Sequence, residues 1–270
     1  MSVPRGAGWL TVDRRRSLAI LAAGALLWEA LARSGVVSAI FFPPPTTVFA
    51  SLWRDLVSGA LHPHVAATLM RAIPALALGG IPAFLLGFGM GWSPRLRHVA
   101  EPFVSALHPV PKLALLPLFM VMAGIGEGAK VLAVAAAAFF PLVVSVVAGV
   151  RQIPPVHLEV ARNYGATGTR LVRRVLIPAA LPSVMTGLRL AANLALVTTI
   201  GVEMIAADVG LGTRVWLSWQ VMRTDQLYAT LFVIALIGVV MTLTLRWCER
   251  RLMPWRPPDP DAPVTEVEER

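Results

Sequence analysis

Long apolar runs alternate with short charged segments along the whole chain. Windows 72–92, 131–150 and 227–245 contain no Asp, Glu, Lys or Arg. Each holds about the 20 residues that a helix needs to cross ~30 Å of hydrocarbon. In lipid a segment has to satisfy its own backbone amides, which leaves helices; a barrel would show weak alternating segments instead. Extended along the chain, the pattern predicts six transmembrane helices, at about 17–33, 72–92, 102–123, 131–150, 182–207 and 227–245. The fold class is all-α, a polytopic integral membrane protein. It divides into an N-terminal segment 1–16, a six-helix membrane domain 17–250 and a tail 251–270, proline-rich and acidic, expected to be disordered.

Two polar stretches carry helical spacing of their own. After the prolines at 43–45, Val48, Phe49, Leu52, Trp53, Leu56 and Val57 share a face. This predicts a short amphipathic helix on the outer membrane surface, with Arg54 and Asp55 toward water. The second stretch, EVARNYGATGTRLVRRVLIP at 159–178, has one acid, four arginines and two glycines between apolar spans. Pro154 and Pro155 stop the preceding helix. Leu158, Ala161 and Tyr164 fall on one side of a short helix, Gly165 interrupts it, and Gly168 is a second weak point. Leu171, Val172, Val175 and Leu176 resume the spacing, and Pro178 and Pro182 close the segment. The residues alone predict two short helices bent at a glycine, meeting either anionic headgroups or a partner.

Composition and charge narrow the function. The chain of 270 residues is 56% hydrophobic, 14% charged and carries a formal charge of +9. The basic residues flank spans rather than forming a patch beside aromatics, so nucleic acid is not an expected partner and the membrane surface is. With the N-terminus inside, 16 Lys and Arg fall in inner segments and 6 in outer ones, with Lys112 and Arg189 within spans. That bias places both termini and the 159–178 loop in the cytoplasm. The first span also has the basic region, apolar core and Ala-Leu-Ala site of a signal peptide, but a retained anchor suits the membrane-embedded remainder. Cys248 is the sole cysteine, which excludes an intrachain disulfide. No metal-ligand cluster, nucleophile–base pair or paired carboxylates occur, so no catalytic residue or metal site is expected. His62 and His64 flank a proline in an outer turn.

Polar residues inside spans are costly and usually face a bundle interior or a water-filled path. On the fifth predicted span Arg189, Asn193 and Glu203 lie within an arc of about 80°. On the third, His108 and Lys112 are one helical turn apart, a cationic pair able to favour an anion. These five are the candidate pathway residues, against packing or snorkelling roles. Nearby Pro109, Pro111 and Pro117 predict a bent helix.

Glu159-Val160-Ala161, three residues, Gly165, nine residues, then Val175-Leu176-Ile177-Pro178 resembles the cytoplasmic loop of binding-protein-dependent ABC importer permeases. The likeness extends through FFPPPTTV, HPVPKLALLPLFMVMAGIGEGAKV, FFPLVVSVVAGV, GVEMIAADVGLG and RTDQLYATLFVIALIGVV, landmarks of the nitrate/sulfonate/taurine branch. It implies a type I ABC importer transmembrane-domain (MetI-like) fold in the bacterial inner membrane, with a coupling loop at about 155–178. It further implies that Glu159, Ala161, Gly165, Ala166, Thr167, Gly168, Arg170 and Pro178 contact an ABC ATPase subunit. The other implied partners are an extracytoplasmic substrate-binding protein and a second permease copy. The chain would be a non-catalytic subunit without a cofactor, ATP being used by the ATPase; no phosphate-binding Gly-x4-Gly-Lys-Ser/Thr loop is present. Other readings are a secondary transporter with Glu203 or Glu29 as proton carrier, a membrane-embedded enzyme, or the same permease role for bicarbonate or a vitamin-precursor pyrimidine.

Overall fold

A computed structural model describes residues 7–255, with side-chain surroundings given from Arg16 onward. The first six residues and the tail beyond 255, including its expected disorder, lie outside the described residues. Among the described residues every regular element is helical. These are α1 (Ala7–Arg33), α2 (Pro45–Val57), α3 (His62–Trp92), α4 (Pro94–Leu107), α5 (Leu116–Ala123) and α6 (Glu127–Arg151). There follow α7 (Pro155–Asn163), α8 (Gly168–Leu171), α9 (Ile177–Ala206), α10 (Leu211–Gln220) and α11 (Thr224–Leu252).

The layout differs from six simple spans in two ways, a longer fifth helix and a bent third one. α3, α6, α11 and the continuous run 168–206 are long and apolar enough to cross a membrane. The third predicted span is instead α4 and a Lys112–Ala123 arm meeting at 92°. Pro109 and Pro111 cannot donate backbone hydrogen bonds, so the helix stops and restarts there. α1 is 27 residues long, but its stretch without Asp, Glu, Lys or Arg, between Arg16 and Glu29, is shorter than those of the four long apolar helices. Glu29 pairs with Arg33 and accepts from the Thr46 backbone N–H (3.1 Å) and hydroxyl (2.8 Å), capping the start of α2.

Helices α3, α6 and α9 form the packed centre, where Ala133, Ala138, Val143, Val146 and Ala191 are completely buried. Small residues set the spacing: a Cβ on Gly79 would fall 2.2 Å from the Ala135 carbonyl oxygen. Between α6 and α9 the fit is reciprocal, with Gly149 against Ser183 and Gly187 against Ser145. Such approach raises van der Waals contact, the main cohesive force between helices in lipid.

α2 presents one of its two charges to water: Arg54 is exposed, 3.6 Å from Asp225, and Asp55 is not. Its buried face is Pro45, Val48 and Ser51, while Phe49, Trp53 and Val57 are exposed. Asp55 turns inward to pair with Arg214 of α10, both largely buried. Apolar residues cover more than one face here, and the charge pair, invisible to periodicity, decides which face packs.

Candidate coupling surface and buried polar clusters

The 155–176 loop is built around a glycine turn. Proline at the first position pre-sets the dihedral that starts α7. At its other end Gly165 has φ +77, Gly165 N–H donates to the Arg162 carbonyl (2.8 Å) and Ala166 N–H to the Ala161 carbonyl (2.9 Å). That pair of bonds is a Schellman cap, which needs a left-handed residue at the glycine position. On either side of the turn Ala161 and Ala166 are half-buried and pack on the core together with Leu158. The cap explains why glycine stands four residues after a small apolar residue.

Beyond the turn there is no second free helix. Thr167 precedes α8, and residues 172–176 form a π-helical turn leading straight into α9. Pro178 has no N–H to donate to Arg174, and a π turn is one way for a helix to absorb such a gap. Pro178 and Pro182 therefore lie at the start of α9 and within it, instead of closing the loop. The run from Gly168 to Ala206 covers 39 residues, about 58 Å at 1.5 Å per residue.

The outward face of α7 differs from the predicted one. Tyr164 is 88% exposed, apart from the half-buried Leu158 and Ala161, and continues Val156 and Val160 at four-residue spacing. This apolar stripe was legible as an i, i+4, i+8 pattern. Glu159, Gly165, Thr167, Gly168 and Arg170 are exposed beside it.

A second polar cluster sits at the opposite end of α9. Glu203 is completely buried and accepts from Arg71 Nη1 (2.8 Å), the Thr68 hydroxyl (2.9 Å) and Gly212 N–H (2.9 Å). Arg71 also grips both Glu127 oxygens (2.6 and 2.9 Å) and donates to the Val209 carbonyl (2.6 Å). Lys130 donates to Glu127 (2.8 Å). Two cations thus balance two carboxylates and join α3, α6, α9 and the turn into α10. The turn fits because it is bare: a Cβ on Gly210 would lie 2.3 Å from the Glu203 carboxyl carbon. His64 is not in an outer turn; it begins α3 with His62, and its Nδ1 lies 2.9 Å from the Gly210 carbonyl oxygen. Arg71 and Lys130, counted by sequence with the outer segments, are buried within helices.

The five candidate pathway residues are not brought together. Glu203 is about 21 Å along α9 from Arg189, which pairs with Glu249 of α11 (2.6 Å) and donates to Thr186 (3.2 Å). Asn193 lines a groove between α9 and α11. His108 and Lys112 do not share a helix, because α4 ends at Leu107 and Lys112 begins a 3-10 turn. Lys112 Nζ donates to the carbonyls of Leu107 (2.7 Å), His108 (3.0 Å) and Val110 (2.6 Å), lying 4.3 Å from the Phe140 ring centre. It thereby supplies partners to carbonyls released at the bend. His108 packs its ring edge-on to Phe140 at 6.3 Å. Among the described residues no group of three His, Cys, Asp or Glu could hold a metal ion.

Comparison with known proteins agrees with this architecture. Residues 75–254 match the family described as the binding-protein-dependent transport system inner membrane component. The taurine transport system permease protein of Escherichia coli (strain K12) is 36% identical over 247 residues, covering 88% of this chain and 89% of that one. A Bacillus subtilis (strain 168) chain described as an aliphatic-sulfonates transport permease is 29% identical, covering 92% and 88%. A methionine ABC transporter solved in an inward-facing conformation superposes with a TM-score of 0.62 at 19% identity. That match covers 73% of this chain and 98% of the other, a likeness of fold.

Proposed function

The chain belongs to the family of inner-membrane components of binding-protein-dependent transport systems, and on that premise we propose how it works. Two copies enclose a pathway, an ABC ATPase subunit docks on each α7, and an external binding protein delivers a small anion of the sulfonate or taurine type. Both termini face the cytoplasm, in keeping with the excess of Lys and Arg on that side. ATP is bound and hydrolysed by the partner, and this chain supplies the path and the receiving surface.

The observation that carries this reading is the Val156–Val160–Tyr164 stripe, apolar and exposed on a helix whose opposite face is packed. A partner subunit that buries the stripe gains contact area without unpairing anything. The Schellman cap and the packing of Leu158, Ala161 and Ala166 on the core keep α7 from pivoting freely, so a push on it reaches the run 168–206 as a rigid-body displacement. ATP binding draws the paired ATPases and their docked α7 helices together and opens the cavity outward; hydrolysis reverses it. Selectivity for a sulfonate follows from the external protein and from whichever residues of the path meet the anion.

Co-purification with a co-expressed ABC ATPase subunit tests the assignment. Gly165→Asp places a side chain where φ is +77, and the expected result is membrane insertion without a stable ATPase complex. A complex that assembles normally and couples substrate to ATP hydrolysis as well as wild type would refute it.

A further inference from the structure

Between α9 and α11 lies an open groove of about 420 Å³, lined by Asn193, Gly238, Val239, Thr242, Leu243 and Arg246. Its two ends differ chemically. Gly238 stands two turns from Arg246, about 12 Å along the helix. Over that distance the lining is carbon, because the Thr242 hydroxyl is turned to its own helix, donating to the Gly238 carbonyl (2.8 Å). At the other end Arg246 and Asn193 are both exposed. Arg189, one turn from Asn193, is engaged by Glu249 and Thr186. The guanidinium and amide facing the groove are therefore those of Arg246 and Asn193.

The level of that polar end is marked independently. Trp247 and Trp255 are 59% and 56% exposed, and the Arg251 guanidinium lies 5.4 Å from the Trp247 ring centre. Exposed tryptophan and arginine at one end of a span are the signature of a membrane–water interface. A fitting occupant is apolar for about two helical turns and ends in an anionic hydrogen-bond acceptor at headgroup height.

We propose that this groove is a binding site for an anionic phospholipid. One acyl chain lies along Gly238, Val239 and Leu243, the phosphate meets Arg246, and the Asn193 amide donates to an oxygen of the headgroup or glycerol region. A zwitterionic lipid brings its own ammonium to the same place and gains less from the arginine. The inference rests on the membrane-spanning character of α11, not on the proposed importer role.

Native mass spectrometry of the delipidated complex titrated with phosphatidylglycerol or phosphatidylcholine is the test. Wild type should retain phosphatidylglycerol preferentially, and Arg246→Gln should lower that retention about fivefold, the change that ~1 kcal/mol per interfacial arginine gives. Gly238→Leu should lower retention of both lipids by filling the groove. A Cβ at 238 meets only Leu196 Cδ2 at 3.7 Å, so the variant should keep its fold. Arg251→Gln, the same charge change outside the groove, should leave the preference intact. Equal losses from Arg246→Gln and Arg251→Gln would mean a diffuse headgroup shell and overturn the site. Displacement of the lipid by a soluble sulfonate would make it an anion site and overturn the lipid assignment. Disulfide linkage of two copies through Gly238→Cys in a Cys248→Ala background would put a second copy there, with the same consequence.

Discussion

The two ends of the 168–206 run are built in opposite ways. At one end four charged residues from α3, α6 and α9 close on one another, and Glu203 has its carboxylate fully hydrogen-bonded and buried. At the other end the 155–167 segment is held by backbone turns and alanine contacts, while Val156, Val160 and Tyr164 face outward. A cluster that satisfies itself has nothing left to offer a partner, and losing one member strands the others. An exposed stripe contributes little until something covers it. The difference separates a self-satisfied clamp from an exposed stripe, which under the proposed function is where the ATPase docks.

Substitutions at the two ends should therefore fail differently. The largest effect is expected at Glu203. Glu203→Leu removes an acceptor from Arg71, Thr68 and Gly212, and stranding one partner of a buried ion pair costs about 3–5 kcal/mol. Thermal unfolding of the purified protein should show a large downward shift. A shift no greater than that of a surface variant would mean that the cluster does not clamp that end of α9. Gly165→Val comes next: a β-branched side chain in the left-handed region costs about 1–3 kcal/mol locally. Binding of the ATPase should weaken by at least tenfold while the unfolding temperature moves little; the reverse pattern would put the loop among the stability elements. Asp55→Asn should have the smallest effect. It weakens the pair with Arg214 and leaves a hydrogen-bonding group in place, so a loss of about 1 kcal/mol is expected. A hydrogen-exchange measurement should find it confined to α2 and α10.

The contrast also marks what the sequence could reveal. Apolar length set the long helices, and the Glu159–Pro178 spacing located the loop and its glycine. Periodicity fails where a residue's partner lies far along the chain. Arg71 and Glu203 are separated by 132 positions, and nothing local distinguishes a buried arginine from one facing water. The same blindness assigned Asp55 to solvent and joined His108 to Lys112 on one helix across a 92° break. Tyr164 is the C-cap residue of α7, beyond its last helical turn, so the wheel that groups it with Leu158 and Ala161 does not fix where its ring points, and it is 88% exposed. For α1, a predicted span included Glu29 and Arg33, whose mutual pairing and contact with Thr46 belong to the junction with α2.

Under the proposed function α7 receives force from a partner and is not a lipid-facing loop. Its most direct test is substrate-stimulated ATP hydrolysis by the complete transporter in liposomes, comparing wild type with the double substitution Val160→Asp, Tyr164→Asp. Both side chains are exposed, so the variant should keep its unfolding temperature and membrane insertion. The predicted result is loss of substrate stimulation together with loss of the bound ATPase, in liposomes with or without anionic lipid. Full stimulation by the variant, or a defect that disappears when anionic lipid is removed, would contradict it.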